Sequence, residues 1–125
     1  RQAWLELRNM GLKTGLLSDF PLGNKPEALG IADISDAFCC SEETGYLKPN
    51  EKPFLYLAET LGVDPQEVLY VGNSYGKDVI GARAAGMKTA LIVSPTFHAE
   101  RRYPLADIIF RRYGELPSLL TSTAM

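Results

Sequence analysis

Four polar side chains follow short apolar runs in this sequence, and together they have the chemistry to bind a phosphate and a hard cation. They are Ser18, Lys48, Asn73 and Asp78. Serine hydroxyls and lysine ammonium groups donate hydrogen bonds to phosphate oxygens, and amide and carboxylate oxygens are the ligands that Mg²⁺ prefers. In an open parallel sheet the ligand site lies beyond the carboxyl ends of the strands. If the apolar runs are parallel strands, the four side chains are expected to share one site.

Each of these residues also has a structural explanation when it is considered alone. A serine at the end of a strand commonly forms a turn, and a lysine before a proline commonly lies in a solvated loop. Asp78 at the start of a helix would stabilise the helix N-terminus by its charge, and Asn73 would cap the turn after Gly72. The functional hypothesis therefore depends on the order and spacing of the four side chains.

Short apolar runs alternate with helical patterns along the chain, which predicts a parallel α/β sheet. The runs predict strands at residues 15–18, 37–40, 68–71, 89–93 and 106–110. Helical spacing and capping signals predict helices at residues 2–10, from about 50 to 62, 78–85 and 117–120, with a brief helical turn after Asp64. Gly11, Gly62 and Gly86 stand where helices commonly end in the left-handed conformation.

Apolar residues recur at helical spacing in the first two helices, and in the second helix they mark one face. In the first helix these residues are Trp4, Leu7 and Met10. In the second helix they are Phe54, Leu55, Ala58 and Leu61.

The composition is that of one globular domain, spanning residues 1–125. The chain is 46% hydrophobic and carries 13 basic against 15 acidic residues, a net charge of −2. Such a charge provides no attractive field for nucleic acid or for an anionic membrane surface. The apolar runs are also far shorter than the roughly 18 residues of a membrane span. We therefore expect neither nucleic acid nor membrane as a partner.

The two cysteines, Cys39 and Cys40, are adjacent in the sequence. On a strand their side chains point to opposite faces, which suits neither a disulfide framework nor a paired metal site. Two buried thiols are typical of a reducing compartment, and no secretion leader follows Arg1. The sequence therefore predicts a cytoplasmic protein.

Three segments resemble motifs of the haloacid dehalogenase-like (HAD) hydrolase superfamily, and in particular its phosphoglycolate-phosphatase-like members. They are Leu16 to Phe20, Gly45 to Asn50, and Val71 to Ala82 with its continuation to Thr89. The third segment is the most distinctive, and all three occur in the order of the superfamily. The resemblance extends from residue 1 to about residue 120.

The resemblance implies an α/β fold in which flanking helices cover a Rossmann-like parallel sheet. It also implies a Mg²⁺-dependent phosphatase that acts on a small phosphorylated metabolite, a phosphomonoester, through an aspartyl-phosphate intermediate. Ser18 and Lys48 match the catalytic positions that bind the phosphoryl group and neutralise its charge, and Asp19 lies beside Ser18 as a further substrate-binding candidate. Asn73 and Asp78 match the two positions that bind Mg²⁺.

The sequence departs from the superfamily pattern in two places. The Asp-x-Asp motif that supplies the nucleophile is absent, so the chain is expected to be a HAD-like core domain incomplete at its N-terminus, the C-terminal part after the cap insertion point. An upstream segment or a partner chain would then complete the site, and removal of a central first strand would expose two strand edges. In addition, Asn73 replaces the first acidic residue of the metal motif and brings no charge.

Two other functions remain open on the sequence. One is a 2-haloacid dehalogenase of the same superfamily, which would need no metal. The other is a non-catalytic binding or regulatory module, which the absent nucleophile and Asn73 both favour.

Overall fold

Parallel strands and flanking helices make up the computed structural model, which describes residues 2–19, 30, 32–94 and 103–123. The strands in this part of the chain are β1 (Gly15–Ser18), β2 (Ala37–Cys40), β3 (Leu69–Gly72), β4 (Lys88–Ile92) and β5 (Ile108–Phe110). The α-helices are α1 (Gln2–Asn9), α2 (Glu51–Leu61), α3 (Ile80–Ala84) and α4 (Leu116–Thr123). Every strand pair is parallel, so the predicted α/β class is confirmed.

The strands lie in two separate sheets. β1 pairs with β2, and β3, β4 and β5 form a second sheet in that order. Among the described residues, β1 and β3 therefore each have one edge without a strand partner. The two sheets still share a core, because α2 packs on β1 and β2 while its Phe54 ring meets the Tyr70 ring of β3 edge-on, with centroids 4.8 Å apart.

Two of the predicted strands, β1 and β2, have the bounds that their apolar runs indicate. The other three strands differ from prediction by one or two residues. Val68 is not part of β3 because its N–H bonds to the Pro65 carbonyl, which closes a 3₁₀ turn at Pro65–Glu67. β5 begins after Asp107, whose carboxylate accepts from the Thr89 N–H at 2.8 Å.

The buried face of α2 agrees only in part with the apolar face that the sequence predicts. In α2 the buried apolar residues are Pro53, Phe54, Leu57, Ala58 and Leu61, whereas Leu55 is 37% exposed. The prediction for Leu55 is wrong because adjacent helical residues are about 100° apart, so Phe54 and Leu55 cannot both face the core. Met10 is 44% exposed, since α1 ends at Asn9 and Gly11 follows with φ +85°.

The helix predicted at residues 78–85 begins earlier than its pattern indicates. A π-helical turn at Tyr75–Val79 precedes α3. The Ser74 carbonyl accepts from both the Asp78 N–H at 2.8 Å and the Val79 N–H at 3.3 Å, which widens this turn. Asp78 therefore lies inside the turn, whereas Gly86 has φ +90° at the helix end, as predicted.

Cys39 and Cys40 are free and buried, which confirms that they form no disulfide. In the described ranges, no helix has both the length and the apolar character needed to cross a membrane.

Candidate functional site

The carboxyl end of β1 lies against the loop that carries Lys48. Ser18 ends β1 and is half-buried, and the next residue, Asp19, is 9% exposed. The Asp19 Oδ1 accepts a hydrogen bond from the Lys48 backbone N–H at 3.0 Å. The Cys40 thiol lies 3.8 Å from the Asp19 carbonyl, so the ends of β1 and β2 are held together at this point.

Lys48 connects the first sheet to the second. Its Nζ lies 2.7 Å from Asp78 Oδ1, and the two side chains are 14% and 5% exposed. A pair this deeply buried has lost most of its water, so removal of either partner leaves an uncompensated charge. The ion pair joins the loop before α2 to the turn after β3.

Asp78 also organises the backbone that follows β3. Its Oδ2 accepts from the N–H of Asn73 at 3.1 Å and from the N–H of Ser74 at 3.0 Å. Both carboxylate oxygens therefore have hydrogen-bond partners before any ligand is considered. Ser74 in turn accepts from the Lys77 N–H at 3.2 Å through its hydroxyl, which caps the π-helical turn.

Gly72 is a residue of this site that the sequence reasoning did not identify. A Cβ at Gly72 would overlap the side chain of Asp78, so the carboxylate occupies the space that glycine leaves open. Gly72 ends β3, and a glycine in or beside a strand commonly marks a site where another group approaches closely, which was the available signal.

Asn73 lies at the exposed mouth of the site. A cavity of about 370 Å³ opens beside it and is lined by Tyr75, Tyr103 and the segment from Leu91 to Ser94. The rings of Tyr75 and Tyr103 are in contact, with centroids 4.9 Å apart. Tyr75 therefore lies at a cavity wall, between the two candidate metal residues in the sequence.

Tyr70 is a buried residue of β3, the strand that leads to Asn73 and Asp78. Burial is the largest cause that raises the pKa of Tyr70, and the negative charges of Asp78 and Asp19 raise it further. The phenol therefore remains neutral at physiological pH.

The donor chemistry of Asn73 and Asp78 fits a hard cation, but their number does not complete a site. Mg²⁺ takes six oxygen ligands in an octahedron. No group of three histidine, cysteine, aspartate or glutamate side chains converges in the part of the chain that the structure describes. Further oxygens would have to come from water, substrate or other residues, and Asp78 Oδ1 would share its charge with Lys48.

The structure thus brings together Asp19, Lys48 and Asp78 through side-chain contacts, and Asn73 through its backbone. Ser18 adjoins them at the end of β1. The roles of these residues in binding and catalysis remain predictions.

Known proteins resemble this chain in both sequence and fold. The glyceraldehyde 3-phosphate phosphatase of Methanopyrus kandleri is 41% identical over 91 residues, which are 70% of this chain and 39% of that protein. Hexitol phosphatase B of Escherichia coli K12 is 30% identical over 119 residues, 93% of this chain and 53% of that protein. The crystal structure of a HAD phosphatase from Thermococcus onnurineus superposes with a TM-score of 0.85 at 32% identity, over 95% of this chain and 55% of that one.

The chain thus spans about half the length of these proteins or less. A family model described as haloacid dehalogenase-like hydrolase matches residues 1–86, more than half of the chain. The family-model match and the sequence identity to these relatives agree with the parallel α/β fold. The chain therefore belongs to the haloacid dehalogenase-like hydrolases.

Proposed function

We propose that the protein is a phosphatase of small phosphomonoesters, and that residues 1–125 form the part of its core domain that follows the cap insertion point. The observation that carries this proposal is the Lys48–Asp78 ion pair, which together with the Lys48–Asp19 hydrogen bond links the end of β1 to the turn after β3. The phosphatase activities in the names of the M. kandleri and E. coli relatives favour the same reaction.

Lys48 supplies a positive charge in a region that is largely closed to water. Its ammonium would stabilise the negative charge that builds up on the phosphoryl oxygens, and such stabilisation is strongest where water is excluded. The Ser18 hydroxyl would donate a hydrogen bond to the same group. Asp78 would hold the lysine in place through the 2.7 Å contact.

The nucleophile of this reaction is proposed to come from outside the 125 residues. The sequence contains no Asp-x-Asp motif, and β1 and β3 each have an edge without a strand partner in the described structure. A strand placed between them and ending in an aspartate would bring a carboxylate beside Lys48. That carboxylate would form a bond to phosphorus while the ester P–O bond breaks and the leaving alkoxide oxygen takes a proton to become the alcohol. Water would then cleave the aspartyl-phosphate to release inorganic phosphate.

Mg²⁺ is the proposed cofactor, held by the Asn73 amide oxygen, by Asp78 and by oxygens from outside this chain. When bound, it would neutralise charge on the phosphoryl oxygens. We also propose a cytoplasmic location, because the two buried cysteines are free.

The test is release of inorganic phosphate from a panel of small phosphomonoesters by the protein that carries these residues. We expect turnover that Lys48→Met lowers by orders of magnitude. Lys52→Met is the matched control, because Lys52 lies over the Tyr46 ring at 4.6 Å and makes no contact with Asp78 in the described structure. Equal turnover of the two variants would contradict the proposal.

A chelator separates the phosphatase from the other two functions. We expect EDTA to abolish phosphate release and Mg²⁺ to restore it. Release of halide from 2-haloacids in the presence of EDTA would instead show a dehalogenase. If no substrate is turned over and the protein does not bind Mg²⁺ with BeF₃⁻, a phosphate mimic, a non-catalytic module is the better explanation.

A further inference from the structure

The carboxylate of Asp19 faces the main chain of the loop that carries Lys48. We propose that Asp19 is a positioning residue, which fixes the Lys48 backbone so that the Lys48 ammonium is held at the candidate site. Its predicted role was direct substrate binding. The inference rests on the proposed function for its kinetic consequences, but its structural part can be measured separately.

Apolar packing holds the loop before Lys48 only in part. Tyr46 and Leu47 are 45% and 46% exposed, so about half of each residue lies in solvent. Gly45 has φ +80°, where the preceding 3₁₀ turn at Ser41–Thr44 ends. The hydrogen bond from the Lys48 N–H to Asp19 Oδ1, at 3.0 Å, fastens this exposed loop to the end of β1.

Lys48 is thereby held at both of its ends. Asp19 holds the backbone N–H, and Asp78 holds Nζ at 2.7 Å. A lysine side chain has four flexible methylene groups and a large rotamer entropy, so one fixed end leaves the ammonium free to occupy many positions. Asp19 follows β1 and Asp78 belongs to the turn after β3, so the two anchors also link the separate sheets.

Loss of the Asp19 contact is expected to weaken stabilisation of the transition state more than it weakens substrate binding. A displacement of about 1 Å in a catalytic group can cost roughly 100-fold in rate. We therefore expect Asp19→Ala to lower kcat by about 10- to 100-fold with little change in KM. Asp19→Asn keeps an oxygen that accepts from the Lys48 N–H, and it should recover most of kcat.

Asp64→Ala is the matched control for the loss of a hydrogen bond from backbone to carboxylate. Asp64 Oδ1 accepts from the Gln66 N–H at 3.2 Å in the 3₁₀ turn before β3, whereas Lys48 is hydrogen-bonded to Asp19 and Asp78. This variant should retain the wild-type kcat and KM. Asp19→Leu, which fills a similar volume without an acceptor, replaces Asp19→Ala if the latter does not fold.

A double-mutant cycle with Lys48→Met separates positioning from a general structural effect. If Asp19 acts through Lys48, Asp19→Ala should lower kcat no further in the Lys48→Met background. An equal loss in both backgrounds would overturn the proposal. A raised KM with unchanged kcat in both Asp19→Ala and Asp19→Asn would also overturn it and would indicate direct substrate binding.

Amide hydrogen exchange at Lys48 tests the same contact without any activity. We expect exchange at the Lys48 N–H to be at least tenfold faster in Asp19→Ala and close to wild type in Asp19→Asn. Unchanged exchange in Asp19→Ala would overturn the inference. Wild-type protein without phosphatase activity would contradict the proposed function alone, because the exchange measurement would still decide the role of Asp19.

Discussion

Asp78 has more contacts than a simple metal ligand needs. One carboxylate oxygen holds the Lys48 ammonium, and the other accepts from two backbone N–H groups after β3. The carboxylate thus sets the positions of Lys48 and Asn73 together. We expect Asp78 to be required for the shape of the site whether or not a cation binds there.

The position of the Asp78 carboxylate depends on the absence of a side chain at Gly72. We predict that Gly72→Ala displaces the Asp78 carboxylate, because the new Cβ would overlap it. The Lys48 ion pair and the two backbone hydrogen bonds would then be strained together. The expected result is a loss of about 1–3 kcal/mol in the free energy of unfolding and a loss of most phosphate release, measured by urea denaturation and by the phosphatase assay.

Gly76→Ala is the control for this substitution. A Cβ at Gly76, in the same turn, would have no heavy atom within 4 Å. Wild-type stability and activity are therefore expected. If Gly72→Ala behaved like Gly76→Ala, the inferred close contact between the Asp78 side chain and Gly72 would be wrong.

At the scale of the elements, the packing of α2 against α3 positions both ends of the ion pair. The Lys48 loop leads into α2, and Asp78 belongs to the π-helical turn that leads into α3. Gly81 of α3 lies directly against the Phe54 ring of α2. The distance between the two helices is therefore set by the absence of a side chain at Gly81.

We predict that Gly81→Ala destabilises the protein by about 1–3 kcal/mol, since extra atoms in a packed core force its neighbours apart. The added Cβ would overlap Phe54 and would lie 2.8 Å from the Pro49 carbonyl oxygen. Urea denaturation measures this effect. Gly114→Ala, where a Cβ meets nothing within 4 Å, should be neutral or slightly stabilising. Equal stability of the two variants would refute the close packing at Gly81.

A second contact between elements predicts a dependence on pH. Asp36 accepts from the Thr14 N–H at 2.7 Å and from Arg8 at 2.8 Å, so it connects the segments before β1 and β2 to α1. The hydrogen bond from Thr14 is the largest cause that holds the pKa of Asp36 below the ordinary aspartate value of 3.8, and Arg8 adds to it. A depressed pKa in the folded state means that the ionised carboxylate stabilises the fold.

This stabilisation is fully present above about pH 3.8, the unfolded value, and is lost as the pH falls through the lower folded pKa. We predict that the difference in unfolding free energy between wild type and Asp36→Asn shrinks across this acidic range. Denaturation at a series of pH values measures it. Arg8→Met should remove a smaller part of the effect than Asp36→Asn, and a difference that stays constant with pH would contradict the assignment.

At the scale of the whole molecule, the two sheets share one core, but no strand of one sheet pairs with a strand of the other among the described residues. α2 covers β1 and β2 and reaches Tyr70 of β3, and the Asp19–Lys48–Asp78 contacts join the strand ends. One edge of β1 and one edge of β3 have backbone groups that no strand pairs within the described residues.

We predict that the 125 residues produced alone are only marginally stable. Domains are typically stable by about 5–15 kcal/mol, and each buried backbone group left without a partner costs about 1–3 kcal/mol. Thermal unfolding by circular dichroism, with sedimentation to establish the oligomeric state, measures this. A cooperative transition at high temperature in a monomer would contradict the prediction.

The sequence alone determined the elements and the candidate residues, because both depend on local signals. Apolar runs gave the bounds of β1 and β2, and the asparagine and glycine at the ends of α2 cap it as their types predict. Motif order along the chain identified Ser18, Lys48, Asn73 and Asp78. The prediction for Leu55 was wrong because neighbouring helical residues cannot both face the core. The start of the helical segment before α3 differed because the Ser74 carbonyl accepts two hydrogen bonds.

Only the tertiary structure decided which of those residues touch. Lys48 and Asp78 are 30 positions apart, and Asp19 is 29 positions from Lys48, so no local pattern specifies their contacts. The ion pair forms because α2 and α3 pack closely at Gly81 and because Gly72 leaves room for a carboxylate. The division into two sheets likewise depends on backbone pairing between distant segments, which residue types at one position do not encode.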